Sequence, residues 1–289
     1  MKILFPSSLG FLVLFLSTSF ADYPPNKNIK SRYDVFYTTE KDTLQSLDVF
    51  WNENQENSPI VLFVHGGGWL SGDKKAYREM ASTMADQGLT VMLVNYRLSP
   101  KVKFPEHVED VAASIAWAKN NAKDYSGDPQ KLYLMGHSAG AQMITLLTFD
   151  PHYLDKVDVS PDEIAGLITI SGVFEIKTQK GGASKKYLEM VFGMEEVWKK
   201  ASCQTYLDKA KSNLPPLLVT WVDDENELIK NESIGLIKVL ENAGVEYRSY
   251  IFEGNNHNAF VTELQNSSST FSKELMDFIA VASPSINKN

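Results

Sequence analysis

Cysteine is almost missing from this chain: Cys203 stands alone among 289 residues, so no intramolecular disulfide can form. A chain of this length does not need one, because it can bury a sizeable core. Basic residues are in deficit, 28 Lys and Arg against 36 Asp and Glu, for a net charge of −8. Nucleic-acid binding needs clustered Lys and Arg and is disfavoured. No His-Glu-x-x-His occurs and the five histidines lack ligand spacing, so no metal site is suggested. Internal repeats and low-complexity stretches are absent too. Long apolar runs are also lacking. Leu9 to Leu16 falls well short of the roughly 20 residues that cross a bilayer, and Pro6, Ser7, Ser8 and Gly10 interrupt that region.

What the N-terminus does carry is an export pattern. Lys2 gives a positive start, the short apolar run follows, and Ser19-Phe20-Ala21 offers small residues for cleavage. The expectation is a signal peptide over 1–21, a domain over 22–289 beginning at Asp22, and a periplasmic or secreted protein without a membrane span.

Two strands are expected first, Tyr33 to Tyr37 and Ser46 to Trp51, joined without a helix and so forming an antiparallel edge. Pro59 to Val64 is apolar throughout, the mark of a strand buried on both faces. Leu89 to Val94, Leu132 to Met135, Leu167 to Ile170 and Leu217 to Val222 read the same way, and Tyr247 to Phe252 is the last strand-like run. Helical stretches lie between them, near Lys74 to Asp86, Val108 to Asn121, Ala139 to Phe149 and Glu227 to Glu241. Alternation of this kind predicts an α/β protein: a mostly parallel sheet covered on both faces. Reactive groups then gather on loops at the carboxyl ends of the strands. The stretch 172–213 breaks the alternation, with short apolar clusters, and is expected to be a small helical cap inserted over the site.

Gly136-His137-Ser138-Ala139-Gly140 follows a buried strand and opens a helix, the context of a nucleophile elbow that holds a serine hydroxyl clear of the sheet. His65-Gly66-Gly67-Gly68-Trp69 ends another buried strand. Acyl transfer builds negative charge on a carbonyl oxygen, and N–H donors aimed at it typically lower the barrier by about 3–4 kcal/mol each. The N–H groups of Gly67, Gly68 and Ala139 are assigned that role. A serine needs a base. His65 and His137 sit inside the motifs and read as local structural partners; His107 and His152 lie at helix ends and read as solvated. His257, in the loop after the last strand, is the base. The third member, a carboxylate orienting the imidazole, comes from the loop after Val222, which offers Asp223, Asp224, Glu225 and Glu227.

These residues resemble the α/β-hydrolase superfamily, in its branch of carboxylesterases, hormone-sensitive-lipase-like esterases and kynurenine-formamidase-like enzymes. The likeness runs from about Tyr33 to Phe260. It includes Asn95-Tyr96-Arg97-Leu98, Phe104-Pro105 with Glu109-Asp110, and Gly127-Asp128-Pro129, besides both glycine motifs and the His257 loop. The resemblance implies an eight-stranded, mostly parallel sheet and no cofactor. It also implies an acid three residues past a strand-ending glycine. Trp221 stands at that place, which points to Asp224 and leaves Asp223 in play. Ala201-Ser202-Cys203 resembles a stretch that usually ends in proline, so Cys203 is expected to be structural. The expected activity is cleavage of short-chain or aryl carboxylic esters through an acyl-serine, with Trp69 and Phe192 walling the pocket. Formamide cleavage is the alternative within the same chemistry, and a non-catalytic binding protein the alternative outside it. Oligomeric state is not legible.

Overall fold

The computed structural model describes residues 28–178 and 182–282, so the expected export segment 1–21 lies outside the described residues. The chain runs β1 (Ile29–Phe36), β2 (Ser46–Asn52), β3 (Ser58–Val64), α1 (Arg78–Asp86), β4 (Thr90–Val94), α2 (Glu106–Asn121), β5 (Gly127–His137) and α3 (Ala139–Phe149). It continues through α4 (His152–Asp155), β6 (Gly166–Ile170), α5 (Gly182–Phe192), α6 (Glu195–Ala201), α7 (Leu207–Ala210), β7 (Leu217–Val222) and α8 (Glu227–Ala243). The last elements are β8 (Arg248–Phe252), α9 (Ala259–Gln265) and α10 (Thr270–Ala282). One eight-stranded sheet results, ordered β1-β2-β4-β3-β5-β6-β7-β8. β1 pairs antiparallel with β2, and β2 with β4; the other strands are parallel.

Period-two alternation sorts the strand residues between two cores. Ile60, Leu62 and Val64 of β3 pack with Leu132 and Leu134 of β5 under α2, α3 and the cap. Val61 and Phe63 face the other way, with Tyr133 and Met135, toward α1, α9 and α10. A strand clothed on both faces must be apolar, which is why β3, β4, β6, β7 and the second half of β5 read as continuous runs. The edge is held by charge. Lys74, 1% exposed, bonds Asp34 on β1 at 2.5 Å and Asp48 on β2 at 2.7 Å, and Asp48 also accepts from Arg78 Nε at 2.7 Å. Removing one partner of such a set would strand a buried charge.

β5 starts at Gly127, five residues before the apolar run suggests, because Gly127 still pairs with Ser58 of β3. α10 lies beyond the elements expected from the pattern; Phe271, Leu275, Phe278 and Ile279 form its buried stripe. The segment 172–213 holds α5, α6 and α7, and its contacts with the site are described next.

Candidate active site

Ser138 sits between the last residue of β5 and the first of α3, with φ 53° and ψ −115°. A non-glycine residue held there costs on the order of 1–3 kcal/mol and persists only where its surroundings fix it. They do: Ser138 N–H donates to Ile170 O at the end of β6, at 2.9 Å. The helix can turn back so sharply because Gly140 passes against β3. A Cβ built on Gly140 would lie 2.1 Å from Val64 O.

The glycine loop after β3 lies against this elbow, since a Cβ on Gly66 would fall 2.9 Å from Ser138 Cβ. Its carbonyls are tied down one by one. His65 Nδ1, 2.7 Å from Gly66 O, must carry the proton, because a carbonyl only accepts. Burial lowers the pKa of His65 and favours this neutral form. Gly67 O accepts from Leu70 N at 3.2 Å, Ser71 N at 3.1 Å and Ser71 Oγ at 3.0 Å. In a trans peptide the N–H points opposite its C=O, so the N–H groups of Gly67 and Gly68 are turned away from those anchors. Gly67 holds φ +116°, a region that L side chains rarely adopt. Ser138 O accepts from Gln142 N at 3.2 Å, which turns the Ala139 N–H toward the open N-terminal end of α3. Tyr96, whose hydroxyl donates to His65 O at 3.1 Å, stacks on the His65 ring at 4.6 Å. Arg97 and Gln45 both bond Asp110. Tyr96 is thus a brace on the glycine loop, while Arg97 and Asp110 form an ion pair beside it, roles that spacing alone could not disclose.

His257 is reached from the loop after β8. Its Nδ1 lies 2.7 Å from Glu225 Oε2, and the Glu225 side chain is 1% exposed. The expected acid, Asp224, is not there: it is exposed, and its N–H donates to Asp223 Oδ1. Asp223 is also spent on backbone, accepting from Gly254 N at 2.9 Å and so pinning the two loops together. The chain turn that makes this pin faces Asp224 to solvent, and the next side chain, one methylene longer, reaches the imidazole. Counting from Trp221 therefore lands one residue short. Burial raises the Glu225 pKa, but the hydrogen bond and charge of His257 outweigh it and hold the carboxyl below the ordinary 4.5. His257 Nε2 is buried and has no partner among the described residues. The elbow reaches the same loop through His137, whose Nε2–H donates to His257 O at 2.9 Å while the two rings lie 4.4 Å apart. Burial drives the His137 pKa well down, so this second imidazole stays neutral beside the first.

Trp69 and Phe192 are brought together, edge to face at 4.9 Å, with 3% and 1% of their surfaces exposed. α5 also sends Tyr187, whose hydroxyl donates to Gly68 O at 2.7 Å. The cap thus rests on the glycine loop. A groove of about 460 Å³ lies elsewhere, lined by Pro216, Leu217, Tyr247, Arg248 and Phe278 at the amino ends of β7 and β8. It is at the wrong end of the sheet for Ser138. Contrary to expectation, His107 is fully buried, because α2 lays it beneath Phe104 and Phe192. His152 is exposed and paired with Asp150. Cys203 is buried, its thiol pushed up by desolvation. Among the described residues, no group of three or more His, Cys, Asp or Glu could hold a metal ion, and no helix is long and apolar enough to cross a membrane.

The probable carboxylic ester hydrolase LipM of Mycobacterium tuberculosis is 26% identical over 56% of this chain and 40% of its own length. A probable isoprenylcysteine alpha-carbonyl methylesterase of Oryza sativa subsp. japonica is also 26% identical, over 79% of this chain and 54% of its own. The chain spans about half the length of the curated relatives it matches. Esterase B from Lactobacillus rhamnosis, in a C6-C4 inhibited form, has the same fold: TM-score 0.78 at 20% identity, covering 91% of this chain and 90% of that one. Residues 47–240 match the BD-FAE family. Because that match runs from β2 into α8 and takes in both glycine motifs with the strands that carry them, the chain belongs to the BD-FAE family, on the α/β-hydrolase fold.

Proposed function

We propose that this protein is a serine hydrolase that cleaves carboxylic esters through an acyl-serine intermediate. One observation carries the reading: a buried carboxylate, Glu225, holds His257 by Nδ1 and leaves a buried Nε2 without a partner among the described residues. A neutral imidazole so held can accept the Ser138 proton as Oγ bonds to the ester carbonyl carbon. Glu225 stabilises the resulting imidazolium. The N–H groups of Gly67, Gly68 and Ala139 face the charge developing on the carbonyl oxygen. His257 then gives its proton to the departing alkoxide, and the alcohol leaves. A water, deprotonated by the same nitrogen, attacks the acyl carbon; Ser138 departs with the proton and the acid is released. The names of the relatives, carboxylic ester hydrolase and methylesterase among them, support esters as the substrate class. The paired rings of Trp69 and Phe192 favour a compact acyl or aryl group over a long chain. Export through residues 1–21 belongs to the same reading.

Hydrolysis of p-nitrophenyl esters from acetate to palmitate, with an aryl formamide beside them, tests it. Turnover should be fastest on acetate and butyrate and be lost in a folded Ser138→Ala variant. Substantial ester cleavage by that variant would overturn the mechanism. Preference for the formamide would move the protein to amide chemistry.

A further inference from the structure

Gln142 lies one helical turn after Ser138 on α3, fully buried, and every polar group it has is used. Its N–H donates to Ser138 O at 3.2 Å, which orients the Ala139 N–H. Its Oε1 accepts from the indole Nε1 of Trp69 at 3.1 Å, and its Nε2 donates to Ala201 O at the end of α6 at 2.8 Å. Its carbonyl receives the Cys203 thiol at 3.5 Å. The nucleophile helix, the glycine loop and the cap therefore meet at one side chain.

Trp69 needs such an anchor. It is a bulky residue at φ 59°, a conformation that only its surroundings can maintain. Its backbone is held by the Ser99 N–H on its carbonyl at 2.9 Å, and its ring by Gln142 and the edge of Phe192. An indole with its only polar group fixed cannot rotate without leaving both the N–H and the Gln142 oxygen unpaired in a buried site. On the ester-hydrolase reading, with the acyl group seated beside the glycine loop, a longer acyl chain would have to displace that ring or the cap behind it.

We propose that Gln142 is a positioning residue that locks Trp69 to the cap and so sets how long an acyl group the site accepts. This rests on the ester-hydrolase reading. Gln142 itself touches no reacting atom; it acts through Trp69.

The test compares kcat/KM on p-nitrophenyl acetate and hexanoate. Gln142→Met keeps the length of the side chain and removes both amide groups. It should raise the hexanoate-to-acetate ratio at least about fivefold, mainly through KM for hexanoate. Trp69→Phe, which removes the indole N–H, should move the ratio the same way, and the double variant no further than the larger single change. Gln142→Glu keeps an acceptor for the indole but loses the donor to Ala201 O, so it breaks the lock on the cap side and should move the ratio in the same direction. Thr145→Val, on the same helix, loses a hydroxyl bonded only within α3 and should leave the ratio unmoved whatever it does to stability. A native ratio in Gln142→Met, or multiplying effects in the double variant, would overturn the proposal. Should Gln142→Met not fold, Trp69→Phe and Gln142→Glu decide: a native ratio in either overturns it. Loss of all native ester turnover would instead remove the hydrolase reading, and the proposal with it.

Discussion

Replacing His107 with leucine should make the folded protein more tolerant of acid. The imidazole is fully buried among Phe104 and Phe192, and neither ring nitrogen has a partner among the described residues. Desolvation, with help from the nearby Arg97 charge, lowers its pKa from 6.5 to about 3. In the unfolded chain the ring protonates below 6.5, whereas in the folded protein it stays neutral until about pH 3. Between those limits the unfolded state binds the extra proton, so stability falls as pH falls, by up to about 1.4 kcal/mol per pH unit. Down to pH 4.5 this amounts to roughly 2–3 kcal/mol, a large share of an ordinary domain's stability. Leucine is close in size, brings no titrating group and leaves no orphaned nitrogen, so His107→Leu should match or exceed native stability at pH 7. Urea unfolding at half-unit steps from pH 7.5 to 4.5 reads the difference directly. The native midpoint should fall more steeply than that of the variant, and the two curves should diverge below pH 6.5. Parallel curves would show that His107 does not titrate between the folded and unfolded states as its burial requires.

Glu225→Gln should lower kcat roughly 10²- to 10⁴-fold, while Asp224→Asn, exposed and facing solvent, should stay within about threefold; the reverse ranking in ester turnover would return the acid to the neighbouring position. Gly140→Ala should unfold or misfold the elbow, because its methyl would meet Val64 O at 2.1 Å. Gly235→Ala, inside α8 with nothing within 4 Å, should instead gain about 0.5–1 kcal/mol; a lower urea midpoint would contradict this. Cys203 should resist iodoacetamide in the folded protein and react only on unfolding, since its thiol is buried and its pKa raised. Alkylation at native pH 7 on the time scale of a free thiol would refute that.

Much of this molecule was legible because its signals are local. A strand buried on both faces has to be apolar, so β3, β4, β6 and β7 announce themselves, and each glycine motif directly follows its strand. The acid was not legible, because its identity depends on how Asp223 bridges two loops far apart in sequence. Four carboxylates stand within five residues there, and only the folded turn decides which one meets His257. His107 misled for a similar reason. Its helix begins among polar residues, and only the cap, packing Phe192 onto it, removes it from water. The braces of the glycine loop, His65 and Tyr96, and the shared anchor at Gln142 are hydrogen bonds between elements, which no sequence pattern carries. α10 has a clear amphipathic stripe that could have been found, in Phe271, Leu275, Phe278 and Ile279.

The central claim is that the acyl group passes through Ser138. Acid quenching of the native protein within the first turnovers of p-nitrophenyl butyrate, followed by proteolysis and mass spectrometry, tests it without any substitution. The account predicts a butyryl group on the peptide that contains Ser138, at the Ser138 oxygen. Rapid ester turnover with that peptide unmodified at every quench time, or with the butyryl group on another residue, would contradict it.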